Sequence, residues 1–169
     1  MYKRQLRVRA NALDLAIYKR LRTLARTPET VKWVRRYSAL GEHGLFWLGA
    51  GLLGAALDKP ARPRWIRATA VVGCAYLTSS SIKWSIGRPR PVVEDLPHLM
   101  ATPTGLSFPS SHSTSSFAAA RAFTGLVPTA PLYCMATAMA LSRLYLGVHY
   151  PSDVAAGAGL GTLLGSFGR

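Results

Sequence analysis

The stretch "SRLYLGVHYPSD", residues 142–153, reads as the end of one helix, a turn and the start of the next. Arg143 closes an apolar helix, His149 sits in the turn, and Asp153 falls in the first turn of the helix that Pro151 opens. A connection this short sets two apolar helices antiparallel. Asp153 can accept a hydrogen bond from one ring nitrogen of His149, fixing the tautomer and leaving the other nitrogen free as a nucleophile. The same pair could equally be a structural link, and on this stretch alone both readings stand.

Working outward, the chain reads as five apolar helices. Residues 44–57 (GLFWLGAGLLGAAL) and 68–82 (ATAVVGCAYLTSSSI) carry no charge, and further helices are expected over about 111–126, 131–146 and 152–167. Uncharged runs of 14 or 15 residues are shorter than the roughly 20 that a bilayer span needs. Snorkelling Lys and Arg, local thinning, and Trp47 and Trp65 as interface anchors would close the gap. Gly157, Gly161 and Gly165 make a smooth stripe for close helix contact, which membrane helices often use and soluble bundles can share. The fold expected is all-α: a membrane-embedded antiparallel helix bundle. Cys74 and Cys134 lie in these apolar segments with no metal or redox spacing and are expected to be small buried hydrophobes.

Charge sharpens this picture. The 169 residues carry 21 Lys and Arg against 7 Asp and Glu, a formal charge of +14 that calls for a polyanionic partner. Eleven of the basic residues fall within residues 1–36 and four more between Lys59 and Arg67, so basic stretches flank apolar ones. That margin pattern fits a membrane protein and disfavours nucleic acid, whose binders interleave base and aromatics over one face. Residues 11–27 place Leu13, Ala16, Ile17, Leu21 and Leu24 at helical spacing opposite Lys19, Arg20, Arg22 and Arg26, a basic amphipathic helix suited to a membrane surface. The division expected is a basic segment 1–40 and a helical domain 41–169, with no cleavable signal peptide.

Two more polar clusters punctuate the apolar helices. KWSIGRPRP, residues 83–91, sets cations in a rigid turn beside hydrocarbon, costly unless an anion meets them. Phosphate would, since Arg binds it bidentately and Lys acts as a point charge. SFPSSHSTSS, residues 107–116, starts a helix at Pro109-Ser110-Ser111-His112, where free backbone N–H groups and the dipole favour an anion. Tracing antiparallel helices brings all three clusters to one end of the bundle.

Together they resemble the signature of the type 2 phosphatidic acid phosphatase family, which shares its fold with bacterial acid phosphatases and vanadium haloperoxidases. The matching residues are Lys83-x6-Arg90-Pro91, Pro109-Ser110-Ser111-His112 and Ser142-Arg143-x5-His149-x3-Asp153, with Ser111 where the family usually has glycine. The resemblance implies that His149 attacks phosphorus and is transiently phosphorylated, that Asp153 orients it, and that His112 protonates the departing oxygen. Lys83, Arg90, Ser110, Ser111 and Arg143 would hold the phosphate, with no metal and no cofactor. It implies a phosphorylated lipid as substrate (a polyprenyl phosphate or diphosphate, or a glycerolipid phosphate) and a multi-pass protein of the bacterial inner membrane. The small size and the stretch SRLYLGVHYPSDVAAG, residues 142–157, look like bacterial polyprenyl-linked members, including decaprenylphosphoryl-phosphoribose phosphatases. A soluble phosphatase or haloperoxidase of the same fold and a non-catalytic anionic-lipid binder are the alternatives. Arg88 is read as peripheral, His98 as solvated, and Glu42 and His43 as able to approach the pocket. The pocket's side of the membrane and the oligomeric state stay open.

Overall fold

Punctuation in the sequence sets the helix ends. The computed structural model describes residues 2–23 and 27–169, with side chains from Ala12 onward. Among the described residues seven α-helices follow in order: α1 (Tyr2–Arg22), α2 (Pro28–Leu40), α3 (Leu45–Leu57), α4 (Arg62–Ile86), α5 (Ser111–Ala122), α6 (Thr129–Tyr145) and α7 (Pro151–Gly165). α2 opens on a capping box between Thr27 and Thr30, with Pro28 in its first position. α4 stops at Gly87, in the left-handed region at φ +65°, whose N–H caps the Lys83 carbonyl. α7 starts at Pro151, and the Asp153 carboxylate accepts the Tyr150 N–H at 2.9 Å.

α5 is the central helix, with α3, α4, α6 and α7 around it. The glycine stripe of α7 lies against it: a β-carbon at Gly161 would sit 2.2 Å from the Thr114 carbonyl oxygen, and one at Gly157 2.6 Å from that of Ser110. Ser113, Thr114, Ser115 and Ser116 are buried in this packing rather than open to a ligand, so most of the serine-rich stretch serves helix contact. Their hydroxyls need partners, and Thr114 and Ser115 donate to carbonyls one turn back while Ser116 accepts from the Trp47 indole at 2.8 Å.

Several expectations change. Trp47 and Trp65 are core residues, packed with Val72, Phe123, Leu132 and Ala136, rather than interface anchors. Trp33 and Trp84 are the exposed indoles instead, and Cys74 and Cys134 point outward, not inward. α4 runs well past the uncharged 68–82 core into charged ends. The basic N-terminal segment makes two helices, of which α1 ends at Arg22; Leu24, Arg26 and the side chains of Lys3, Arg4, Arg7 and Arg9 lie outside what is described. On α1 the buried face is Asp14, Tyr18 and Arg22, whereas Leu13 and Ile17 are exposed. No helix among the described residues is long and apolar enough to cross a membrane.

Candidate active site

The loops at one end of the bundle are stitched together by backbone bonds. Arg90 N–H donates to Gly105 O at 3.1 Å and Ser107 N–H to Arg88 O at 2.8 Å, laying the turn after α4 beside the approach to α5. Ser110 N–H donates to Asp153 O at 3.0 Å, fixing the start of α5 against the start of α7. Lys83, one turn from the end of α4, reaches across and donates to Pro109 O at 2.8 Å. The result is a cavity of about 330 Å³ lined by Lys83, Arg90, Ser111, His112, Arg143 and His149. At ~30 Å³ per water that is room for about ten waters, more than the five heavy atoms of a phosphate require.

His149 is 2% exposed and lies between Arg90 and Asp153. Its Nε2 lies 3.2 Å from Arg90 Nη1, which donates, so that nitrogen carries a lone pair. Its Nδ1 makes no hydrogen bond and faces Asp153 Oδ2 at 3.5 Å. Burial, followed by the cations Arg143, Arg90 and Lys83, holds the His149 imidazole well below its ordinary pKa, so the ring is neutral. Arg143 is 1% exposed; its Nη1 donates to Ser38 Oγ at 2.6 Å, and its Nε has no partner. Three cations with a buried unmatched donor leave the cavity strongly electropositive. Of the acidic residues near it, Glu42 lines the wall and Asp153 is already bound to Arg88. A dianion of tetrahedral shape fits that charge and the unmatched Arg143 donor.

Two expected residues stand behind the wall rather than on it. Ser110 caps α5, its hydroxyl accepting from Ser113 N–H at 3.4 Å and from Ser113 Oγ at 3.1 Å, and Asp153 is fully buried. His112 does line the cavity, with Nε2 3.2 Å from the Ser38 carbonyl and 3.9 Å from Glu42 Oε2. Glu42 and His43 reach the site through the turn before α3, where His43 adopts φ +53° and its Nδ1 meets Tyr76 Oη at 2.6 Å. Ser38 was not anticipated: an uncharged residue on α2 with no motif gives no sequence signal. Arg88 is not peripheral, since its Nη1 donates to Asp153 Oδ1 at 2.7 Å. His98 is half-buried and hydrogen-bonds the Pro91 carbonyl at 2.6 Å, which replaces the solvated role expected of it. Among the described residues no group of three or more His, Cys, Asp or Glu is placed to hold a metal ion.

A bundle whose connecting loops converge three cations and two imidazoles on one cavity defines a class of phosphate-handling helical proteins. The profile of the PAP2 superfamily matches residues 64–168, and the chain belongs to that family. It is 41% identical over 140 residues to the decaprenylphosphoryl-5-phosphoribose phosphatase of Mycobacterium tuberculosis, covering 82% of this chain and 78% of that one. Its fold is similar to the crystal structure of Aquifex aeolicus LpxE, with a TM-score of 0.78, 25% identity and coverage of 92% and 94% of the two chains. It is equally similar to a transmembrane PAP2-type phosphatidylglycerolphosphate phosphatase from Bacillus subtilis, with a TM-score of 0.78, 26% identity and coverage of 94% and 84%.

Proposed function

We propose that this protein is a lipid phosphatase of the membrane that hydrolyses a phosphomonoester or diphosphate of a polyprenyl or glycerolipid through a phosphohistidine. Residues 41–169 carry the phosphatase motifs, Ser38 of α2 joins them at the site, and the basic N-terminal segment is assigned to the headgroup level of a bacterial inner membrane. The observation that carries the reading is the neutral, buried His149, with its Nε2 lone pair in the same cavity as three cations and a second imidazole.

The steps follow from those positions. Once Arg90 Nη1 turns from His149 Nε2 to a phosphate oxygen, the freed Nε2 lone pair forms a bond to phosphorus as the bond to the leaving oxygen breaks, and Asp153 steadies the positive ring that results. His112 gives its proton to that oxygen, then takes one from the water that attacks phosphorus and breaks the P–N bond. The Ser38 carbonyl, 3.2 Å from His112 Nε2, and the Glu42 carboxylate, 3.9 Å from it, are the polar groups that face the ring. Lys83, Arg90, Arg143 and the α5 N-terminus at Ser111 take the equatorial oxygens, and Ser110 shapes that N-terminus. These fixed cations supply the charge neutralisation, and no step calls for a metal.

Membrane residence is supported by the relatives and by the outer surface. Leu45, Leu52, Leu53, Leu57, Ile66 and Leu163, on α3, α4 and α7, are exposed apolar side chains that water would not favour. At ~1.5 Å per residue the 25-residue α4 is about 37 Å long, but its charged ends leave it, like the shorter helices, without a full apolar span, so the reading calls for a locally thinned bilayer and snorkelling Lys and Arg. The test is phosphate release by the full chain in detergent from a panel of prenyl phosphates, prenyl diphosphates, phosphatidic acid and water-soluble esters, with and without EDTA. Turnover of lipid esters that persists in EDTA and vanishes in His149→Ala is expected; complete loss in EDTA would overturn the metal-free scheme.

A further inference from the structure

Helix α1 lies outside the residues matched by the family profile, yet it makes the most specific polar contacts behind His149. Its Asp14 is buried and bidentate: Oδ1 accepts the Ser152 N–H at 2.9 Å, and Oδ2 accepts Arg88 Nη2 at 2.7 Å and the Ser152 hydroxyl. The other Arg88 nitrogen, Nη1, donates to Asp153 Oδ1 and to Ser152 Oγ, each at 2.7 Å. The guanidinium also stacks on the Tyr150 ring, 4.1 Å from its centre, so it has one orientation available. Asp153 is then fully committed, with Arg88 on Oδ1, Tyr150 N–H on Oδ2, and Oδ2 turned to His149.

Farther along the same face of α1, Tyr18 donates to the Gly147 carbonyl at 3.1 Å, and Arg22 donates to the Tyr145 carbonyl at 3.0 Å and to the Pro97 carbonyl. Gly147 has φ +75°, and a β-carbon there would lie 2.5 Å from Arg22 Nε and 2.9 Å from Tyr18 Oη. The turn that carries His149 is thus shaped to receive α1. Asp14, Tyr18 and Arg22 are spaced four residues apart, the repeat of a single helix face.

We propose that α1 is a positioning element, in which Asp14, through Arg88, holds Asp153 and hence the ring of His149 in its attacking orientation. The inference rests on the phosphatase reading for its kinetic consequence but not for its physical one. Neither Asp14 nor Arg88 lines the phosphate cavity, so loss of either acts on the nucleophile and not on substrate affinity. An asparagine at position 14 keeps the acceptor for Ser152 and removes the charge that steadies Arg88. A lysine at position 88 cannot hold both carboxylates with one fork.

The experiment uses the full chain in detergent and the panel ester that the wild type turns over fastest. Asp14→Asn and Arg88→Lys should each lower kcat by roughly 10-fold or more, the scale on which outer partners of a working histidine count, with KM moving less than about twofold. In an Asp153→Asn background, Asp14→Asn should lower kcat by less than about twofold further, because both act through one carboxylate. Asp14→Glu, which keeps the charge, should restore part of the rate. Independently of activity, ¹⁵N-histidine NMR should show the ring signals of His149 shifting in Asp14→Asn while those of His43 stay in place. An unchanged kcat, an effect that multiplies in full with Asp153→Asn, or unmoved His149 signals would each overturn the proposal. A wild type that releases phosphate from no ester would sink the phosphatase reading, and the NMR comparison would still decide the linkage.

Discussion

Arg143→Met should make the empty protein more stable and the enzyme far slower, and the two effects have one cause. Arg143 is 1% exposed, shares its cavity with Lys83 and Arg90, has an unmatched Nε, and finds only Ser38 Oγ and Met100 Sδ for its Nη1. No carboxylate lies within ion-pair distance of its guanidinium among the described residues. Burying such a charge costs several kcal/mol. The hydrogen bond to Ser38 returns about 1.5–3 kcal/mol, as charged groups do. A methionine of similar length removes both, so a net gain of about 1–2 kcal/mol is expected, and at ~2–4 °C per kcal/mol for a chain of this size Tm should rise by about 2–8 °C. In the proposed reaction the same charge faces a phosphoryl group, and losing one preorganised donor is expected to cost about 3–4 kcal/mol, or 10²–10³ in kcat. Thermal unfolding in detergent, with and without inorganic phosphate, separates the terms. Phosphate should raise the wild-type Tm clearly and the variant's much less, so that the ranking narrows or reverses at high phosphate. A phosphate-free Tm for Arg143→Met below that of the wild type would refute the claim that this arginine is held at a cost until an anion arrives.

Gly161→Ala forces a β-carbon to within 2.2 Å of the Thr114 carbonyl oxygen, so α5 and α7 must separate; overpacking of this kind should cost about 1–3 kcal/mol, read as a lower Tm. Ser111→Gly restores the residue usual in the family's motif; since the first position of α5 is not a helix interior, kcat/KM should stay within about threefold and stability should fall by no more than about 0.5–1 kcal/mol. A larger drop in rate would show that the hydroxyl itself contacts substrate. Stability should also depend on pH through His149. Its folded pKa lies well below that of the unfolded ring, near ~6.5, so the unfolded chain takes up the proton first and stability present above about pH 6.5 is lost as pH falls. Tm measured at pH 7.5 and 5.0 should differ less in His149→Gln than in the wild type, and equal differences would remove this group from the account.

The sites that sequence reading located share one property: each is polar chemistry interrupting an apolar run. Lys83, His112, Arg143 and His149 stand out that way, whereas Arg90 is chosen over Arg88 by resemblance to the family motif, and short connections between antiparallel helices put all five at one end, where they do line one cavity. The glycine stripe was legible for the same reason, because small residues one turn apart have one packing use. Spacing alone could not separate wall from support. Ser110 belongs to the motif but caps a helix, whereas Arg88, two residues from the motif arginine, bonds directly to the carboxylate behind His149. Which of two neighbouring arginines faces the cavity depends on the path of the Pro-rich turn, and that path is set by Gly105 and Ser107, far along the chain.

The N-terminal helix shows a more general reason for what was missed. Periodicity assigns the apolar side of a helix to the interior, and Leu13 and Ile17 satisfy that rule on paper. In the structure they are exposed, and the buried face is a carboxylate, a phenol and a guanidinium. The rule assumes that water lies outside and hydrocarbon inside. At a phosphate site the interior is polar, because three cations need a scaffold of carbonyls and carboxylates around them, and any helix docking against that scaffold must present polar groups to it. Asp14 is four residues from Tyr18 and eight from Arg22, so the stripe was visible as a pattern. Nothing in α1 alone says what it faces, since its partners Arg88, Gly147 and Ser152 lie 74 or more residues away in the chain. A helix whose charged face is more regular than its apolar one, in a chain that already shows an anion site, is therefore better read as part of that site's support than as a solvated surface.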